Sequence, residues 1–171
     1  MSSTWVRVAV LSTCFSFIIF PCTGQNRTVT EQRVFTSEDE SVDRPVALSG
    51  PAVQAICRSL GDNPCAIKSD NMVSASAIHL RANGEGAFVV VGTHVLRGPH
   101  NAQFWVVEGD TRGYRVILSA VGDRFTVLGS RYHGYSVIRV ENLLTMNGEV
   151  SAKTYRFESG SYKQAQTTDV K

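Results

Sequence analysis

Four histidines, His79, His94, His100 and His133, are the side chains of this 171-residue sequence best suited to moving a proton near neutral pH. His94 and His100 flank a Gly-Pro step in the irregular stretch THVLRGPHNA. An imidazole there, or at His133, set beside a serine or carboxylate from a neighbouring strand, would pair a general base with a nucleophile, as a small hydrolase requires. The histidines share no metal-ligand spacing, and no nucleophile elbow, zinc-protease helix motif, P-loop or Cys-x-x-Cys occurs. No metal and no cofactor are expected, and catalysis is the lesser reading.

A second set of residues suits recognition. Trp105, Arg115, Tyr132 and Tyr135 belong to the types that dominate binding hot spots; Trp105, Arg115 and Tyr135 fall in strand-like sequence, and Tyr132 just before the strand that Tyr135 opens. On an antiparallel sheet alternate residues face opposite sides, so Phe104 and Val106 point one way and Trp105 and Val107 the other. With one face packed on a helix, the other is free for a partner. The remaining aromatics are expected to fill the core.

Cysteines complete the chemistry. Residues 1–24 read as a signal peptide, with Arg7 ahead of the apolar run VAVLSTCFSFIIF and small residues before a cleavage point after Gly24. Cys14 and Cys22 would leave with it. A lipid anchor on Cys22 is the rival reading, disfavoured by Pro21 in front of it. Cys57 and Cys65, close together across a Gly-Asp-Asn-Pro turn, are then the even pair of an exported chain and are expected to form a disulfide. With 17 basic against 15 acidic residues and the arginines dispersed along the sequence, the chain lacks the basic face of a nucleic-acid binder. After signal removal nothing is expected to span a membrane.

The elements that must position these groups begin with a polar, acid-rich arm over residues 25–48, carrying one short strand at Arg33–Thr36. Ser49 as N-cap, Pro51 in the first turn and Gly61 as the stop predict a helix whose apolar stripe is Val53, Ile56, Cys57 and Leu60. Beyond it the sequence turns to strands: Ser74–Arg81, then AFVVVG, whose continuous apolar run belongs mid-sheet. The clearest hairpin is QFWVVEGDTRGYRVIL, with Glu108–Arg112 read as its polar turn. Strands at Asp123–Gly129, Tyr135–Val140 and Val150–Phe157 follow, and a frayed polar tail closes the chain at residues 165–171. Gly113-Tyr114-Arg115-Val116-Ile117 is echoed by Gly134-Tyr135-Ser136-Val137-Ile138, a turn-then-strand device used twice.

The series HLRANGEGAFVVVG, QFWVVEGDTRGYRVIL, YHGYSVI and TYRFESGSYK resembles a group of small exported bacterial α+β proteins of uncharacterised function. The resemblance covers Ile78 to Lys163 and implies fold rather than activity. Where related turns hold calcium through alternating acidic side chains, Arg81 stands in the first ligand position and Val89 follows in place of an acid. The expectation is a single α+β domain over residues 49–164, one N-terminal helix packed on a twisted antiparallel sheet of five to seven strands. Its expected function is that of a non-enzymatic binding protein, periplasmic or secreted. It would engage a protein or cell-wall component, as an inhibitor or immunity protein does, through an open sheet face and the 93–102 loop. A small hydrolase and a structural envelope component are the alternatives.

Overall fold

A computed structural model describes residues 32–38, 42–61, 65, 67, 70–82, 86–93, 96–143 and 150–170. The signal-like segment, Cys22, the Asn83–Glu85 turn and His94 lie outside them. In chain order the elements are β1 (Arg33–Thr36), α1 (Gly50–Leu60), β2 (Val73–Ile78), β3 (Ala87–Gly92), β4 (Ala102–Asp110), β5 (Gly113–Gly122), β6 (Arg124–Tyr132), β7 (Tyr135–Asn142), β8 (Val150–Glu158) and β9 (Ser161–Val170). All strand pairs are antiparallel. The strands form two sheets, ordered β2-β3-β4-β5 and β1-β6-β7-β8-β9, in place of the single sheet the sequence suggested. The molecule is more β than the expected α+β domain: the described residues hold nine strands, against the five to seven expected, and one α-helix.

The two sheets pack face to face. Phe104 and Val106 of β4, Val89 and Val91 of β3 and Leu118 of β5 meet Phe125, Ile138 and Val140 of the second sheet in one apolar core. Phe104 and Phe125 stack with ring centroids 5.2 Å apart. The chain passes from one sheet to the other at Gly122, where a Cβ atom would come within 2.5 Å of Val140 Cγ1 and 2.9 Å of the Glu141 carbonyl oxygen. Only glycine fits that corner. The opposite face of β2–β5 is covered by α1 around Trp105, while Ser119 and Val121 of β5 stay exposed beyond the helix. Val90, Trp105 and Val107 are all fully buried there with Ala52, Ile56 and Cys57.

Within α1 the capping signals hold and the stripe is rotated. Ser49 occupies the N-cap, its carbonyl accepting the Ala52 and Val53 amides, although its hydroxyl makes no cap bond. Gly61 takes the left-handed conformation at φ 74° and closes the helix. The buried residues are Ala52, Ala55, Ile56 and Cys57, whereas Leu60 remains 38% exposed. Two alanines let the helix axis approach the sheet closely, which swings the larger Val53 and Leu60 toward the rim.

Cys57 and Cys65 form the expected disulfide, tying the last turn of α1 to the chain that re-enters the sheet. Replacing both cysteines by alanine should destabilise the fold by roughly 2–3 kcal/mol, the loop-closure entropy returned to the unfolded chain. Denaturant unfolding of the variant against the oxidised protein measures it, with Cys57, being buried, adding a packing loss.

The described parts of the acid-rich arm, residues 32–38 and 42–48, pack on the sheets. Its strand is β1, and Pro45 and Val46 then run along the outer edge of β2, with the Val46 amide donating to the Ala75 carbonyl. Residues 165–170, expected to fray, are the second half of β9 and pair with β8 as far as Val150↔Val170. The solvated side chains of residues 165–168 gave no apolar alternation to read, but the backbone groups of the segment complete the sheet ladder.

Candidate functional site

Phe104, Val106 and Glu108 face the second sheet from successive inward positions of β4. The first two are apolar and enter the core; the third is a carboxylate, only 3% exposed. The sequence placed Glu108 in a turn, but it lies within β4, directly opposite Arg115 of β5, after a register shift at Val106/Val107. A buried carboxylate survives only with its lone pairs occupied. Arg115 Nη2 donates to Oε2 at 2.7 Å, Arg81 Nη2 to Oε1 at 3.1 Å, and the Tyr135 hydroxyl to Oε1 at 3.2 Å. These groups come from β4, β5, β7 and the segment after β2, and they close one end of the inter-sheet core.

The β8–β9 turn joins the cluster. Arg115 Nη1 donates to the Gly160 carbonyl at 2.9 Å. Gly160 sits at φ 89°, and a Cβ there would lie 3.3 Å from that nitrogen, so glycine serves both the turn and the approach of the guanidinium. Both arginines remain partly in water, their side chains 40% and 47% exposed for Arg81 and Arg115. Glu108 thus acts as a buried anchor that holds two solvent-facing guanidinium groups in place.

Aromatic rings back this arrangement. Tyr135 stacks on Phe157 at 3.6 Å with planes 10° apart, and the Arg81 guanidinium covers its other side at 5.1 Å. Tyr162 meets both rings edge-on and donates its hydroxyl to the Ser136 carbonyl at 2.7 Å. Burial pushes the Tyr162 phenol far above its ordinary value, helped by Tyr135 and Glu108. Burial, then the Glu108 charge, raises Tyr135, and burial raises Tyr155.

These phenols make the fold sensitive to alkali. Above the ordinary tyrosine value of 10.0 the unfolded chain releases protons that the folded state still holds, so stability falls as pH rises through and beyond that point. The thermal midpoint should be flat below about pH 10 and drop above it. Tyr162→Phe should flatten the drop, while costing roughly 0.5–1.5 kcal/mol at neutral pH for the lost hydrogen bond.

Of the residues singled out in the sequence, Arg115 and Tyr135 meet at Glu108. Tyr132 lies close by in the β6–β7 hairpin, with Arg156 5.0 Å above its ring. Trp105 must be corrected from surface contact to core, since it is fully buried beneath α1. His133 occupies the tip of the β6–β7 hairpin at φ 48°, edge-on to Tyr132 at 4.2 Å.

His100 lines a groove of about 200 Å³ with Ser37, Asp123, Arg97 and Arg124. The hydrolase reading wanted a serine and a carboxylate near this histidine, and both are present. Ser37 Oγ donates to the His100 carbonyl and Asp123 Oδ2 accepts the Leu143 amide, while Asp123 Oδ1 is buried with no hydrogen-bond partner among the described residues. His79 is exposed just past β2. Among the described residues, no group of three or more His, Cys, Asp or Glu is placed to hold a metal ion, and no helix is long and apolar enough to cross a membrane.

The sequence reading missed Glu108 and the role of Arg81. The available signal was parity: counting inward positions from Phe104 puts an acid where a core residue belongs. An acid at a core position calls for cations across the sheet. No family model, curated protein or solved structure matches this chain.

Proposed function

We propose that this is an exported binding protein without catalytic activity of its own, engaging a protein or cell-wall component of the periplasm or extracellular space. The contact surface is the end of the sandwich built on Glu108. The observation that carries this reading is the rigid presentation of Arg81 and Arg115, both half-exposed and both fixed on one buried carboxylate. Side chains already ordered lose little entropy on meeting a partner, which is the physical basis of preorganised affinity. The signal-like start and the Cys57–Cys65 disulfide favour an oxidising compartment. Inhibition of a wall-degrading enzyme is one form such binding takes.

The surface differs from the one expected from sequence. The sheet face carrying Trp105 is covered, and the 93–102 loop precedes β4 whereas Glu108 lies near its far end, about 20 Å away at about 3.3 Å per residue. The loop and the arginine cluster therefore occupy opposite ends of the molecule. Partner capture from host envelope extract by the tagged, oxidised full chain, read by mass spectrometry, tests the proposal. A partner near stoichiometry that is lost on Arg156→Glu and kept on His100→Ala supports it. Hydrolysis of a wall substrate that is lost on His100→Ala would overturn it in favour of the groove at His100.

A further inference from the structure

Three hairpins and the segment after β2 converge at the Glu108 end. The ties between them are the Arg115–Gly160 bond, the Arg81↔Tyr135 bridge and the Arg156–Tyr132 contact. Five arginines far apart in the sequence gather there: among the described residues of this end, Arg81, Arg112, Arg115, Arg131 and Arg156, with Lys163, outnumber the acids Glu108, Asp110 and Glu158. Glu108 is buried, so the exposed surface is more positive still. Arg112, Arg131, Arg156 and Lys163 are exposed. The small net charge of the whole chain, +2, conceals a local excess.

Which ligand chemistry fits follows from what the rings are doing. A neutral glycan is held chiefly by stacking on free aromatic faces, but Tyr135 has Phe157 on one face and Arg81 on the other. Tyr132 carries Arg156 over its ring. The groups these stacks turn outward are guanidinium edges, whose forked donors match planar oxyanions. The distribution of acids narrows the source. Asp110 and Glu158 stand exposed at the tips of the β4–β5 and β8–β9 hairpins, among the cations. A uniform polyanion laid across this end meets both of them, at a cost in like-charge repulsion. A folded protein surface can set its own carboxylates opposite the arginines and leave the tips unopposed.

Resting on the binding reading above, we infer that the partner is a protein, recognised through a patch of Asp and Glu side chains that docks on the guanidinium edges of Arg81, Arg115, Arg131 and Arg156. Such a complex is steered by charge and weakens with salt.

The test uses the oxidised full chain and three probes, measured by titration calorimetry at low ionic strength: a synthetic peptide in which Asp and Glu alternate with Ser and Gly, heparin, and chitohexaose. The peptide should bind. Its affinity should fall at least about tenfold as ionic strength rises from about 0.01 M to about 0.15 M, where the screening length shrinks from about 30 Å to about 8 Å. The triple reversal Arg112→Glu, Arg156→Glu, Lys163→Glu should abolish binding while the thermal midpoint falls only by what the Arg156–Tyr132 contact supplies, because none of the three touches Glu108. This variant keeps the test independent of folding.

Binding of heparin without the peptide would overturn the protein-patch assignment in favour of a uniform polyanion. Chitohexaose binding that survives the triple reversal would overturn the oxyanion chemistry itself. If envelope capture succeeds but is insensitive to the triple reversal, the binding reading stands and this inference fails. If neither the peptide nor envelope extract is bound, both fail.

Discussion

Trp105→Ala should lower the unfolding free energy by about 3–5 kcal/mol, the usual cost of emptying a large aromatic site that cannot collapse. The indole is fully buried between the β2–β5 sheet and α1. Its neighbours Val90, Val107 and Ile56 are held in regular elements and cannot move in to fill the void. Trp105→Phe separates cavity from polarity. The indole Nε1 is buried without a hydrogen-bond partner among the described residues, so phenylalanine forfeits volume and no bond, and should cost less than about half as much as alanine. Urea unfolding followed by far-ultraviolet dichroism reads both. A Trp105→Ala protein that keeps its stability would mean that the residue is a surface contact after all.

Arg115→Ala should cost about 2–3 kcal/mol, less than the 3–5 kcal/mol typical of breaking a fully buried pair. Arg81 and Tyr135 still donate to Glu108, and the arginine side chain is itself 47% exposed. The informative measurement is the cycle with Glu108→Gln. A neutral amide needs no cation, so the double variant should be more stable than Arg115→Ala alone, with a coupling of at least about 1 kcal/mol. Arg115→Lys should fail to restore wild-type stability. One ammonium cannot reproduce the fork that reaches Glu108 Oε2 and the Gly160 carbonyl together. Additive effects would show that Arg115 and Glu108 are not coupled.

Other consequences follow from the same cluster. Gly160→Val should disturb it from the turn side, through the positive φ and the Arg115 contact, and should be rescued little by Arg115→Ala, since the backbone strain remains.

Much of the fold was written locally. The run AFVVVG became β3, flanked by β2 and β4, because a sequence apolar on both parities is stable only where both faces are covered. Ser49, Pro51 and Gly61 bounded α1, and Gly113 and Gly134 open β5 and β7 at φ 118° and 81°. The Cys57–Cys65 disulfide followed from proximity in sequence. These features depend on backbone conformations and short-range contacts that a few adjacent residues dictate.

The partition of strands between two sheets, the burial of Trp105 and the assembly around Glu108 did not follow from any local stretch. Both parities of β4 are buried, so sequence alternation could not reveal which residues face α1 and which face the second sheet. The acid at position 108 looked like a turn residue because its compensating groups, Arg81, Arg115 and Tyr135, come from separate segments and acquire meaning only when those segments meet. Likewise Arg81, Arg112, Arg115, Arg131 and Arg156, far apart in the chain, come to one end because antiparallel hairpins return their tips to the same side. By itself the sequence determined most of the elements and their punctuation, β9 excepted, through local propensity and turn chemistry. Only the tertiary structure decided which faces were buried and which charges became neighbours, since the desolvation of a carboxylate and the pairing that offsets it belong to contacts between elements distant in the chain.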